Sequence, residues 1–320
     1  MFLFCIESSH ARGMGHLYRS LILADNLVEL GGRVHFLINY HEPSLKVLKT
    51  RGYPHGTVDF APEACGWETE VAQRLGAVAW INDRLDTTAE HVECVKSTGL
   101  PVITFDDRGM GAALSDLNVA ALVFDPTEVA CLQGRRVLKG VEHLVLNPAI
   151  APLRRLRTQL DSVLVTLGGA DTYGVTAKVV SLLRGKPWQV TVLLGPSFAH
   201  HRELADVVPD HFQIRTCVAS MAEEMARHDL AVTGGGITPF EANAAGLPCL
   251  VVANELFEIP IAQALERMGG CRYLGYHKFI NDSLFQTTPD IVRMSTRALA
   301  TVSLVGVQRV AAAIRKLVKQ

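Results

Sequence analysis

Short apolar runs alternate with segments of helical periodicity along the whole chain, so the sequence predicts strands that are separated by helices. In the first half, the predicted strands are residues 1–6, 33–38, 77–81, 101–105, 121–124 and 143–146, and the predicted helices are 17–30, 43–50, 68–75 and 87–98. In the second half, the predicted strands are 163–167, 189–194, 212–216, 230–232, 249–252 and 271–273, and the predicted helices are 175–183, 221–227, 239–245, 259–268, 289–303 and 307–318. Strands joined through helices form parallel sheets, which predicts an α/β protein with two doubly wound, Rossmann-like halves.

The boundary between the halves is predicted at a proline-containing segment, where Pro148 and Pro152 interrupt the pattern. The 320 residues, of which 48% are hydrophobic, are enough to build two cores. We therefore predict an N-terminal domain at 1–147, a linker at 148–160 and a C-terminal domain at 161–320. The last predicted helix is free to pack back on the N-terminal domain.

A glycine-rich turn joins the first predicted strand to the first predicted helix. It contains Gly13, Gly15 and His16, in the order Gly-Met-Gly-His. The glycines let the backbone approach a ligand closely, and the histidine can accept a proton near neutral pH. A solvated histidine in an ordinary turn is the alternative for this motif taken by itself.

Two further strand ends carry glycines, Gly168-Gly169 and Gly234-Gly235-Gly236. Such turns predict that backbone amides hold a phosphate-bearing ligand. Neither turn matches the dinucleotide-binding fingerprint or the P-loop, which argues against an NAD enzyme or an ATPase. The helix after the second turn is predicted to begin with Thr238 as its N-cap and Glu241 as the partner in a capping box.

Composition excludes other classes of protein. The net charge of −1 and the lack of a long basic run argue against nucleic-acid binding, and the short basic cluster 154–157 is predicted to be a solvated helix face. Without an apolar run of about 18 residues or a signal peptide, we predict a cytoplasmic protein with no transmembrane segment. The seven scattered cysteines predict reduced thiols, and the twelve histidines show no ligand spacing, so no metal site is expected.

Four motifs together resemble a known family. They are residues 8–24, Phe105-Asp106-Asp107, residues 167–171 and residues 235–246. In this order they resemble the UDP-2,4-diacetamido-2,4,6-trideoxy-β-L-altropyranose hydrolases of pseudaminic acid biosynthesis and the related spore-coat polysaccharide proteins. The resemblance implies the GT-B fold, in which two Rossmann-like domains face each other across a cleft and bind ligands at the carboxyl ends of their strands.

The resemblance also assigns roles to residues. It implies that His16 is the catalytic base and that Glu241 binds ribose hydroxyls, with the capping box as the alternative for Glu241. The predicted contacts to the nucleotide and its diphosphate are Gly13, Gly15, Gly168, Gly169, Gly235, Gly236, Ile237 and Thr238.

Two positions depart from the family pattern. The family's Arg-x-Asp is Cys5-Ile6-Glu7 here, and its Asn-Gln pair is Phe257-Glu258. Glu258 is therefore predicted to face sugar hydroxyls or an acceptor, because a carboxylate repels a diphosphate. Asp83 and the pair Asp106-Asp107 follow predicted strands, and they are predicted either to reach the sugar or to cap loops.

These observations predict a nucleotide-sugar hydrolase. His16 would activate water for an inverting displacement that releases UDP and a free amino or deoxy sugar, without a metal or a cofactor. The predicted partner is the UDP-sugar alone, and the protein is expected to be a monomer or a weak dimer. The alternatives are a GT-B glycosyltransferase that uses the same base on an acceptor hydroxyl, and a non-catalytic nucleotide-sugar binding subunit.

Overall fold

The computed structural model describes residues 1–8, 14–60, 66–169, 171–216 and 218–319. The chain forms two compact units. Unit 1 comprises Met1–Leu146 and Val305–Gln320, and unit 2 comprises Asn147–Leu304. The chain therefore returns to unit 1 after unit 2 is complete.

Unit 1 contains a parallel sheet of seven strands. The strands are β1 (Phe2–Ile6), β2 (Val34–Ile38), β3 (His55–Thr57), β4 (Ala79–Asp83), β5 (Val102–Phe105), β6 (Leu117–Ala120) and β7 (Val137–Lys139). Their order is β3-β2-β1-β4-β5-β6-β7, so the direction of winding reverses between β1 and β4. Ligands of open α/β sheets bind at such a reversal, at the carboxyl ends of the strands.

Helices cover both faces of this sheet. They are α1 (Gly15–Glu29), α2 (Glu42–Thr50), α3 (Trp67–Arg74), α4 (Ala89–Lys96) and α5 (Pro126–Cys131). Strand β1 is buried throughout, as expected for a central parallel strand. Phe4 and Ile6 pack with α1 on one face, whereas Leu3 and Cys5 pack with α3 and α4 on the other.

Unit 2 contains a parallel sheet of six strands in the order β10-β9-β8-β11-β12-β13. The strands are β8 (Ser162–Thr166), β9 (Gln189–Leu194), β10 (Gln213–Thr216), β11 (Leu230–Gly234), β12 (Cys249–Ala253) and β13 (Cys271–Tyr276). The helices are α6 (Val175–Leu183), α7 (His201–Ala205), α8 (Met221–Ala226), α9 (Thr238–Ala244), α10 (Glu258–Met268) and α11 (Ile291–Thr301). Winding reverses here between β8 and β11.

The last helix, α12 (Gly306–Val318), belongs to unit 1. Its apolar face, which includes Val307, Val310 and Ile314, joins the same core as Phe4 and Leu17. In the described part of the chain, one helical stretch, Ile291–Val318, is long and apolar enough to cross a membrane by length and composition, although the sequence analysis predicts none. That stretch spans two separate helices, α11 and α12.

The predicted elements differ from the structure mainly at short strands. The strand predicted at 121–124 lies at Leu117–Ala120, and the one predicted at 143–146 is replaced by a 3-10 turn at Val141–His143. Asn118 interrupts the apolar pattern of β6, but its side-chain NH2 group donates to the carbonyl oxygens of Asp107 and Gln133. The local pattern of apolar residues could not predict these two hydrogen bonds. The sequence analysis also missed β3, β7, α5 and α7, which are three to six residues long.

The basic cluster predicted to be solvated is partly buried, so that prediction is wrong. Arg157 is fully buried, and its guanidinium donates to the carbonyl oxygens of Ala245, Met225 (3.0 Å) and His228 (3.3 Å). Burial lowers the pKa of Arg157 to about 10. Met225 and Ala245 lie at the ends of α8 and α9, where carbonyl groups lack helical partners. The segment predicted as a linker is thereby fastened to unit 2.

Candidate functional site

The first turn of α1 brings His16 to the carboxyl end of β4. Strands β1 and β4 are neighbours in register, with Ile6 opposite Asp83, and α1 begins shortly after β1. The Nδ1 atom of His16 lies 2.7 Å from Oδ1 of Asp83. The His16 side chain is 14% exposed and that of Asp83 only 1%, so the histidine lies between the carboxylate and solvent.

Arg19 lies one helical turn after His16 and binds the same carboxylate. Its Nε donates to Oδ2 of Asp83 at 2.9 Å, and its Nη2 donates to Oδ1 at 2.5 Å. The hydroxyl of Ser20 donates to Oδ2 of Asp83 at 3.2 Å. Two parallel N–H bonds from one guanidinium are strong and directional, so Asp83 is held in a single orientation.

Arg19 also donates through Nη1 to Oδ2 of Asp106, which follows β5. The other oxygen of Asp106 accepts the amide of Leu122 at 2.9 Å. Asp106 has a φ of 48°, in the left-handed region that costs a non-glycine residue about 1 kcal/mol or more. Its side-chain bonds hold it there. We call His16, Arg19, Asp83 and Asp106 the His16 cluster.

The charges of the His16 cluster suit an imidazole that gains a proton. Burial acts to raise the pKa of Asp83, but the charges of Arg19 and His16 outweigh it and hold that pKa well below its usual range. Burial acts to lower the pKa of Arg19, but Asp83 and Asp106 raise it above its usual range. One guanidinium and two carboxylates leave one net negative charge, which an imidazolium would neutralise.

The hydrogen bond to Asp83 determines the role of each imidazole nitrogen. Because the carboxylate can only accept, Nδ1 of His16 carries the proton, and this tautomer is inferred from the bond. Nε2 of the neutral ring is then the acceptor. A histidine oriented by a carboxylate in this way can act as a general base.

The structure separates the roles of the two strand-end aspartates that the sequence predicts as sugar contacts. Asp83 is fully buried, and both of its oxygens bind groups of the protein. Asp107 accepts the amides of Thr87 (3.0 Å) and Gly109 (2.9 Å) through Oδ1, and burial raises its pKa. Asp83 therefore orients the histidine. Asp107 holds a loop through Oδ1, whereas its buried Oδ2 has no hydrogen-bond partner among the described residues, and its contact with a sugar stays a prediction.

The sequence analysis names Arg19 only as part of a motif and gives it no role, although a residue three positions after His16 lies on the same face of a helix. It names Asp106 as a strand-end aspartate, but the pairing of Asp106 with Arg19 was not predicted, because that pairing depends on the order of the strands. Gly13 lies outside the described residues, and Gly15 has open space around its α-carbon.

In unit 2, the turn at Gly168 and Gly169 lies directly against the end of the neighbouring strand. Gly168 has a φ of 92°, and a β-carbon on Gly195 would lie 2.3 Å from the carbonyl oxygen of Gly169. Asp171 then accepts the amides of Val175 (2.9 Å) and Thr176 (2.8 Å) at the start of α6. Glycine at 195 is required for the close approach of the two strand ends.

The second glycine turn of unit 2 leaves backbone amides without protein partners. Within the described ranges, the amides of Gly236, Ile237 and Thr238 donate to no protein acceptor. A β-carbon on Gly236 would meet no atom within 4 Å, so this backbone borders open space. These three amides can bind an anion.

The amide of Gly235 has a partner, because it donates to Oε2 of Glu258 at 3.2 Å. The same oxygen accepts the amide of Asn254 at 2.7 Å. Burial raises the pKa of Glu258, although both amides oppose this effect. The structure thus shows Glu258 joining the loops after β11 and β12. Its contact with a sugar stays a prediction.

The capping box predicted for Glu241 is wrong. Helix α9 begins one residue early, with Ile237 as N-cap and no side-chain cap, so Thr238 and Pro239 both lie inside the helix. The carboxyl group of Glu241 accepts no hydrogen bond from the residues that the structure describes. Burial raises its pKa to about 7. Glu241 is therefore available to a ligand.

The described ranges contain no group of three or more His, Cys, Asp or Glu side chains that could hold a metal ion. The strand ends of unit 1 carry a base that can take up a proton. Those of unit 2 carry three amides that can bind an anion and a carboxyl group that can accept hydroxyl groups.

No protein-family model matches the chain. It is similar to the spore coat polysaccharide biosynthesis protein SpsG of Bacillus subtilis, at 25% identity over 293 residues that cover 86% of this chain and 84% of that protein. An uncharacterized protein of Methanocaldococcus jannaschii is 24% identical over 278 residues, which cover 78% of this chain but only 55% of that protein.

Solved structures resemble the whole chain. The MurG protein of Acinetobacter baumannii matches with a TM-score of 0.71 and 15% identity, covering 98% of this chain and 99% of that one. CalG4, the calicheamicin glycosyltransferase, matches with a TM-score of 0.61 and 16% identity, covering 100% and 98%. At such identities these likenesses show the fold alone, and they confirm the predicted GT-B class.

Proposed function

We propose that the protein is an enzyme that transfers a sugar from a nucleotide sugar, in the biosynthesis of a surface polysaccharide or glycan. The His16 cluster carries this proposal, because it is a buried set of charges built around one imidazole. Similarity to SpsG supports the polysaccharide context, and the GT-B neighbours support a nucleotide-sugar donor.

In the proposed reaction, Nε2 of His16 removes the proton of the attacking hydroxyl group. Asp83 stabilises the imidazolium that forms, and Arg19 keeps Asp83 ionised and oriented. Oriented bases of this kind contribute about 10²- to 10⁴-fold to rate. The nucleophile attacks the anomeric carbon as the bond to the diphosphate breaks, so a single displacement inverts that carbon.

Unit 2 is proposed to hold the nucleotide. The free amides of Gly236, Ile237 and Thr238 would donate to the diphosphate and stabilise the charge that develops as it departs. The carboxyl group of Glu241 would accept ribose hydroxyls. Gly168 and Gly169 would line the same ligand, because their turn follows the neighbouring strand. No step of this scheme requires a metal or a cofactor.

The attacking hydroxyl group is proposed to belong to a sugar, lipid or protein acceptor, which is the reaction of the glycosyltransferases among the structural neighbours. Hydrolysis is the second candidate, and the resemblance of residues 8–24 to the UDP-altropyranose hydrolases favours it. The substrate would then be UDP-2,4-diacetamido-2,4,6-trideoxy-β-L-altropyranose.

Nucleotide release from a panel of UDP-, GDP-, CMP- and dTDP-sugars distinguishes these reactions. Release that depends on an added acceptor and is lost in His16→Gln supports transfer. Release that is equally fast with and without an acceptor, and that is also lost in His16→Gln, supports hydrolysis. Tight binding without release under either condition would overturn the enzymatic proposal in favour of a binding subunit.

A further inference from the structure

Three aromatic rings form a stack at the carboxyl edge of the sheet in unit 2. The rings of Tyr173 and His277 are nearly parallel, at 18°, with their centroids 4.3 Å apart. Tyr276 packs edge-on against His277, with centroids 4.4 Å apart. Tyr173 is 45% exposed and His277 only 8%, so the stack presents one tyrosine ring to solvent over a buried imidazole.

The loop that carries Tyr173 reaches across the sheet. It follows β8, whereas His277 follows β13, and β11 and β12 lie between those strands. Lys178 of α6 donates to the carbonyl oxygen of His277 at 3.2 Å, which ties the helix that follows the loop to the residue that follows β13. A hydrogen bond to Glu255 raises the pKa of the Tyr173 hydroxyl.

The buried ring of the stack also carries an unused polar atom. Nε2 of His277 is buried and has no hydrogen-bond partner among the described residues. Burial lowers the pKa of His277, which keeps the imidazole neutral at neutral pH. A neutral, well-packed ring beneath Tyr173 gives a rigid surface that carries no charge.

The topology places this stack and Glu241 on opposite sides of the glycine turns. The crossover through α6 runs toward one edge of the sheet and the crossover through α9 toward the other. Because such crossovers are right-handed, α6 and α9 cover opposite faces. Tyr173 lies just before α6 and Glu241 lies in α9, so the free amides at Gly236 lie between them.

We propose that Tyr173, supported by His277, is the surface on which the sugar ring of the nucleotide sugar packs. This inference rests on the proposed function. A nucleotide with its ribose at Glu241 and its diphosphate on the free amides extends its sugar away from the α9 face. The apolar face of a pyranose fits the exposed tyrosine ring, while its hydroxyl and amide groups can reach Glu255.

Calorimetry on four proteins tests this proposal. The proteins are the wild type, Tyr173→Ala, Tyr173→Phe and, as a control of equal exposure on edge strand β10, Ile214→Ala. Each is titrated with UDP and UDP-N-acetylglucosamine, dTDP and dTDP-glucose, and GDP and GDP-mannose. We expect Tyr173→Ala to weaken binding of the sugar conjugate about five- to tenfold, the scale of one ring contact, without changing binding of the bare nucleotide. Tyr173→Phe and Ile214→Ala should bind the conjugate like the wild type.

Equal weakening of nucleotide and conjugate in Tyr173→Ala would overturn the proposal, because the ring would then contact the nucleoside or the phosphates. Unchanged affinity for both would overturn it as well. A wild type that binds none of the six ligands would refute the proposed function itself, and this inference with it. That outcome is visible before any variant is made.

Discussion

At the carboxyl edge of unit 1, the buried charged side chains around His16 bond to one another, whereas at the same edge of unit 2 a carboxyl group and three backbone amides have no partner among the described residues. His16, Arg19, Asp83 and Asp106 form a network in which each charge faces an opposite charge or a donor. In unit 2, Glu241 accepts no bond from the described residues, and the amides at Gly236 donate none.

This difference fits the two proposed roles, a catalytic base in unit 1 and a ligand-binding site in unit 2. A base must keep one orientation through the reaction, so its neighbours have to be fixed before a substrate arrives. A ligand site needs the reverse, because a group already paired within the protein gains little from binding a ligand. We therefore expect substitutions in unit 1 to affect rate and stability, and substitutions in unit 2 to affect nucleotide affinity.

The largest expected effect comes from His16→Gln. Loss of an oriented general base should lower turnover by about 10²- to 10⁴-fold, with nucleotide affinity unchanged. Turnover and nucleotide binding are measured on the same preparation. His143→Gln is the control. His143 lies in the same unit, its ring bonds to the carbonyl oxygen of Lys139, and the variant should retain activity. Near-normal turnover in a folded His16→Gln protein would remove His16 from the mechanism.

The next largest effect is expected from Asp83→Asn, which removes the carboxylate that Arg19 and His16 share, while Arg19 keeps Asp106. Breaking a buried pair on one side typically costs about 3–5 kcal/mol, and the remaining pair with Asp106 makes that the upper end of the expected fall in the free energy of unfolding. Turnover should fall as well, because the neutral amide of Asn lacks the negative charge that stabilises the imidazolium of His16. Asp25→Asn removes an exposed pair with Arg51 and should cost about 1 kcal/mol or less in denaturant titrations.

The pH dependence of stability gives an independent test of Asp83. The pKa of Asp83 is lower in the folded protein than in the unfolded chain, where it is about 4. The contribution of Asp83 to the free energy of unfolding is therefore complete above about pH 4 and is lost as the pH falls further. Wild-type stability should therefore decrease below about pH 4, and Asp83→Asn should decrease less over the same range. An equal slope in both proteins would contradict the strong pairing of Asp83.

Sequence periodicity predicted the parts of the fold in which local pattern and burial agree. The strand Gln189–Leu194 and the helix Val175–Leu183 were predicted at their observed bounds, since each carries a continuous apolar pattern. Strand β6 was misplaced because the side-chain NH2 group of Asn118 finds its acceptors, Asp107 and Gln133, outside the local sequence pattern. Arg157 was misjudged for a related reason, because its acceptors are the carbonyl groups of remote helix ends.

In the candidate site, too, local features could be predicted from the sequence, whereas contacts between distant residues could not. His16 and the glycines could be found from local motifs, since a turn between a strand and a helix is a local feature. Asp106 could not be connected to His16 before the strand order placed β5 beside β4. Tyr173 and His277 are over a hundred positions apart, and only the fold brings their rings together.

A moderate effect is expected from Glu241→Ala. If the carboxyl group binds ribose, UDP affinity should fall by about 1–3 kcal/mol. The pKa of Glu241 is about 7 in the folded protein and about 4.5 in the unfolded chain, so the free energy of unfolding falls as the pH rises from about 4.5 to about 7, and the full cost remains above pH 7. Melting temperature should therefore increase in the variant at pH 8 and change little at pH 5. Unchanged UDP affinity would contradict the ribose contact.

The smallest effect is expected at Glu258, the residue of unit 2 that resembles unit 1 because its carboxylate is already paired. In Glu258→Gln, the amide oxygen can still accept from Gly235 and Asn254, so the loops should keep their positions. One negative charge leaves the surroundings of the proposed diphosphate site, which should strengthen UDP binding by a few-fold, about 0.5–1 kcal/mol.

Glu258→Ala is the contrasting variant. It removes both bonds and should weaken UDP binding, because the glycine turn loses its attachment to the loop after β12. Calorimetry with UDP at pH 8, where the carboxylate is most fully charged, gives the clearest difference. Weaker binding in Glu258→Gln and Glu258→Ala alike would contradict this account, since the negative charge itself would then be part of the site and Glu258 would contact the substrate.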